Sequence, residues 1–120
     1  MRTLIRSTVF ALGLFALSDA ASAHASIVSA SPADRSRGPA PAAVEVNFNE
    51  TVNLAFSRLA LRGPDGAKVA IGAPALVPGG KGMLAPVEAK LAAGAYTVEW
   101  TVLSADGHKL NGKYSFTVTP

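Results

Sequence analysis

The chain has 120 residues, no cysteine, eight Asp plus Glu and eleven Lys plus Arg, for a net charge of +3. Zinc or iron–sulfur sites built on thiolates are therefore excluded, as is a disulfide framework. The basic residues are scattered, with no run and no aromatic interleaving, so nucleic acid is not expected as a partner.

Residues 1–23 read as a secretory signal peptide. Arg2 and Arg6 give a basic start, "STVFALGLFAL" an apolar middle, and Ala21-Ser22-Ala23 a small-residue exit. The apolar stretch falls short of the roughly 20 residues a membrane helix needs, which weighs against an uncleaved anchor. Cleavage after Ala23 is expected. It leaves one small domain, residues 24–120, starting at His24. Loss of Arg2, Arg6 and Asp19 changes the charge little. A soluble, monomeric, exported mature chain is expected.

The first strand of that domain is expected in "SIVSASP". The Pro- and Ala-rich stretch from Pro32 to Ala42 reads as a loop within the domain. "AVEVNFNE" then alternates, with Val44, Val46 and Phe48 on one face and Glu45, Asn47 and Asn49 on the other. "LAFSRLALRG" is strand-like, but Phe56 and Leu59 are out of phase, which predicts a bulge or twist. "GPDG" predicts a hairpin turn into the short strand "KVAIG". "GMLAPVE" reads as a weak strand that Pro86 confines to an edge or bulge. "AYTVEWTVLS" places Tyr96, Val98, Trp100 and Val102 on one face, and "GKYSFTVT" does the same for Tyr114, Phe116 and Val118. About seven short strands and no helical stripe predict an all-β fold, a Greek-key β-barrel or sandwich. The predicted core is Val44, Val46, Phe48, Val98, Trp100, Val102, Phe116 and Val118, with the Trp100 indole N–H bonded nearby.

The chain holds two histidines, and both fall where chemistry is possible. In "SADGHKL", Asp106 and His108 are two apart, a spacing that projects both to one side of an extended segment. A polar turn at Asp106-Gly107 is the plainer alternative. His24, as a free N-terminus, would offer its α-amine and ring Nδ1 as a six-membered chelate. The amine pKa of about 8 allows a metal to displace its proton near neutral pH. With one nitrogen of His108 and an oxygen of Asp106, the set becomes three nitrogens and one oxygen. That is the planar preference of Cu(II), which also stands highest among the common divalent ions. Cu(I) prefers sulfur, and after cleavage only Met83 supplies any. Glu50 ends the "FNE" run. It reads as an outer acceptor or weak extra ligand, or as a solvated strand end.

These features together resemble the CopC-like periplasmic copper-binding (copper resistance) proteins. The resemblance rests on "HASIVSASPA", "VNFNETVN", "LAAGAYTVEWTVLSADGH" and "NGKYSFTV", and on the spacing of Asp106, His108, Gly112 and Phe116. It spans essentially the whole mature chain. It implies a cupredoxin-like or immunoglobulin-like Greek-key fold and one Cu(II) per chain. The implied ligands are His24 (amine and ring), Asp106 and His108, with Glu50 near the copper in some members. Some members also carry a methionine-rich Cu(I) site, which is not expected here. The implied role is a carrier and not an enzyme: copper sequestration, carriage or homeostasis. The partner would be an inner-membrane copper transporter or another periplasmic copper protein. Two other readings use the same residues differently. One is a copper oxidase of polysaccharides with an N-terminal histidine brace, which an in-plane Asp106 disfavours. The other is a metal-free immunoglobulin-like binding module.

Overall fold

The structure, a computed structural model, describes residues 26–120. The signal-peptide prediction, its cleavage after Ala23 and the position of His24 lie outside the described residues. Nine strands form two sheets. They are β1 (Ile27–Ser31), β2 (Arg37–Gly38), β3 (Ala43–Phe48), β4 (Arg58–Arg62), β5 (Lys68–Val69), β6 (Ala75–Leu76), β7 (Gly82–Pro86), β8 (Gly94–Leu103) and β9 (Lys109–Val118). One sheet has the order β1-β3-β7-β6 and the other β2-β9-β8-β4-β5. All pairings are antiparallel except β2 with β9. The all-β sandwich expected from the alternation is therefore present. The seven expected strands are joined by the two-residue strands β2 and β6. No helix among the described residues is long and apolar enough to cross a membrane.

Period-two alternation aims one face of each sheet at the other. Val44, Val46 and Phe48 of β3 and Met83 and Ala85 of β7 meet Leu59 and Leu61 of β4, Val98 and Val102 of β8, and Phe116 and Val118 of β9. Tyr96 stacks on Phe116 with ring centroids 5.6 Å apart, and Phe48 meets Trp100 edge-on at 5.1 Å. The "GPDG" turn forms as expected. Gly66 takes φ +81°, Gly63 N–H donates to Ala67 O at 2.9 Å, and the Asp65 carboxylate accepts from Ala67 N–H at 3.1 Å.

Three local expectations need correction. The phase break in "LAFSRLALRG" is neither bulge nor twist. Leu54–Phe56 forms a 3-10 turn, and the strand begins only at Arg58, which leaves Phe56 65% exposed. Pro86 does not confine β7 to an edge. β7 lies between β3 and β6, with Met83 and Ala85 fully buried, because Pro86 is its last residue. A missing N–H there interrupts no central rung. Trp100 is only partly buried, packed against the core, and its Nε1 finds no hydrogen-bond acceptor among the described residues. The ring lies instead over Gly112, its partner across β8–β9, where any Cβ would come within 2.5 Å of Cζ2.

Candidate metal centre

The β8–β9 hairpin closes through residues 104–108, and its geometry follows from one glycine. Gly107 takes φ +91°, which a side chain would resist. Its N–H donates to Ser104 O at 2.9 Å, and Ser104 N–H donates to His108 O at 2.9 Å. Asp106 and His108 thus sit in a turn, not in the extended segment expected from their spacing, and they still meet. His108 Nδ1 lies 2.9 Å from Asp106 Oδ2. Ser104 Oγ donates to Asp106 Oδ1, and the His108 backbone N–H approaches the same oxygen at 3.3 Å.

These donors favour the charged carboxylate. The Ser104 hydroxyl acts most and the His108 side chain next, and together they hold the Asp106 carboxyl at about 2, below its ordinary 3.8. An ionised carboxylate only accepts hydrogen bonds, so the proton between it and the ring belongs to Nδ1. Ser104 is 3% exposed and is the buried polar residue of the described core. Sequence reasoning gave it no role. The signal available was its position two residues before Asp106, at the point where the chain leaves the buried face of β8.

A second segment, residues 49–53, braces this loop. Thr51 O accepts from Ala105 N–H at 2.9 Å, Asn53 N–H donates to Leu103 O at 2.8 Å, and Val52 bridges to Ser104. Val52 is buried, so the brace is anchored in the core. Glu50 is half-buried in this segment, one residue before Thr51. The same segment reaches the start of β1, where Asn49 bonds to Ser26. The structure therefore brings Asp106 and His108 together and places Glu50 on the segment that braces them. Among the described residues, no group of three or more His, Cys, Asp or Glu is gathered as a ready metal set. His24 lies outside the described residues.

Residues 27–119 match the family model described as the CopC domain. The chain belongs to the CopC family. It is 36% identical over 119 residues to copper resistance protein C of Pseudomonas syringae pv. tomato, covering 92% of each chain. The crystal structure of CopC from Methylosinus trichosporium OB3b superposes with a TM-score of 0.74 at 31% identity, covering 81% of this chain and 95% of that one. PcoC of Escherichia coli, described as a methionine-rich copper resistance protein, gives a TM-score of 0.71 at 31% identity, covering 80% and 99%. This chain has two methionines, of which Met83 is fully buried in the core.

Proposed function

We propose that this CopC-family chain is a periplasmic Cu(II) carrier that holds one ion per chain. His24 supplies amine and ring nitrogens, His108 an imidazole and Asp106 a carboxylate oxygen, with Glu50 as an outer acceptor or weak extra ligand. The observation that carries this reading is the 2.9 Å separation of His108 Nδ1 and Asp106 Oδ2. The Gly107 turn thus brings an imidazole and a carboxylate close enough to serve one ion.

Copper would compete with protons for the nitrogen donors, Nε2 or Nδ1 of His108 among them, so binding weakens in acid. With Met83 in the core, no methionine remains for a soft Cu(I) site in residues 24–120. Four protein donors leave little room for a substrate, which supports holding copper over reacting with it. Delivery would be to an inner-membrane copper transporter or another periplasmic copper protein.

The test is the intact mass of the exported protein with and without one equivalent of Cu(II). The expected result is a chain beginning at His24 that gains a single copper. A mature chain beginning elsewhere, or one that takes up no copper, would overturn the reading.

A further inference from the structure

The "NFNE" cluster contains one residue that the ligand set does not use, and its contacts give it a role. Regular β1–β3 pairing reaches Ile27↔Phe48, with an irregularity between Ile27 and Ser29. Beyond that pair, Asn49 adds one more rung. Its side-chain Oδ1 accepts from Ser26 N–H at 2.9 Å, and its own N–H donates to Ser26 O at 3.3 Å. Two residues further on, Thr51 O holds Ala105 of the loop that carries Asp106 and His108. Residues 49–53 thus grip the start of β1 with one end and the D-x-H loop with the other. His24 precedes Ser26 by two residues, which span at most about 7 Å when extended.

We propose that Asn49 is a positioning residue that ties Ser26, two residues after His24, to the segment bracing the Asp106–His108 loop, and so sets Cu(II) affinity without touching the metal. The inference rests on His24 being a ligand. An amide suits the task. Its oxygen accepts the Ser26 N–H just beyond the last strand pair, Ile27↔Phe48, and its neutrality adds no charge to compete for the ion. Without the side chain, Ser26 keeps only the longer backbone bond to Asn49, and more of the ordering cost falls on metal binding.

The test measures Cu(II) affinity by chelator competition in chains that begin at His24. Asn49→Ala should weaken binding about 10-fold, within the range usual for groups that orient ligands. Asn49→Asp keeps the accepting oxygen and should recover most of that loss. The same Asn49→Ala change should have no effect in a chain with His24→Ala and an acetylated N-terminus, because nothing is left there to position. An equal loss in both backgrounds would show a general structural effect and overturn the proposal. Unchanged affinity for Asn49→Ala, with a large loss on removing the His24 donors, would overturn the role of Asn49 and leave the ligand set standing. Unchanged affinity on removing those donors would overturn both. Thermal melts of each apo variant confirm that folded protein is compared.

Discussion

The Ser104–His108 loop is held from inside the fold, whereas Ser26, just before β1, is held at its rim. Ser104 is buried, its side chain bonds Asp106, and its backbone closes the turn with Gly107 and His108. The loop also caps the two longest strands, which pair over ten rungs from Gly94↔Val118 to Leu103↔Lys109. Among the described residues, Asn49 hydrogen-bonds Ser26, and both are exposed. One half of the proposed site is thus shaped before copper arrives. The other depends on a surface clasp and on an amine that exists only after cleavage. Affinity should therefore be most sensitive at the N-terminal half, and apo stability at the loop half.

The largest expected effect breaks the N-terminal half outright. A chain that retains residues 1–23 presents an amide at His24, and its Cu(II) affinity should fall more than about 100-fold, measured by chelator competition. Its thermal melt should match that of the cleaved chain. Comparable affinity in the two would remove the distinction between the halves. Next, Asp106→Ala deletes the proposed oxygen donor and the partner of His108 Nδ1. A loss of about 10- to 100-fold is expected, together with a changed Cu(II) electron paramagnetic resonance spectrum as the proposed oxygen ligand is lost.

A subtler variant strains the scaffold beneath the loop. In Gly112→Ala the new methyl meets the Trp100 ring, and overpacking of this kind costs about 1–3 kcal/mol, readable by urea denaturation with Trp100 fluorescence as the probe. Copper affinity should fall modestly, while the Ser26–Asn49 contact remains intact.

The smallest effect sharpens the loop half. Ser104→Ala removes the main cause of the low Asp106 pKa, so a carboxyl-detected NMR titration should show it rise from about 2 toward 3.8. Because the folded pKa lies below the ordinary value, the contribution of Asp106 to stability is complete above about pH 4 and is lost as pH falls toward 2. In Ser104→Ala the acid transition should lose part of that low-pH extension. An unmoved pKa would mean that the hydroxyl does not govern the carboxylate.

How much of this was legible in the sequence varied with the range of the interaction. β3, β8 and β9 could be read because a strand with one face in the core must alternate, and their apolar residues do. The Asp106–His108 pair could be read from a two-residue spacing, although a Gly107 turn and not an extended strand makes them meet. Burial of β7 was obscured by Pro86, whose effect depends on standing last in the strand. The start of β4 was obscured because a 3-10 turn has no two-residue period. Trp100 satisfied the alternation but lies over a glycine on the neighbouring strand, a fact available only once β8–β9 register is known. Asn49 was the least legible. Its partner Ser26 is 23 residues away, and nothing local distinguishes a gripping amide from a solvated one.

Met83 has a consequence beyond packing. A protein that carries copper is exposed to the oxidants that copper generates, and an accessible thioether is readily converted to a sulfoxide that disrupts apolar contacts. With no cysteine in the chain and the Met83 sulfur sealed between the sheets, the folded domain offers peroxide no sulfur to attack. The packing that buries Met83 between the sheets thus also shields its thioether from oxidation.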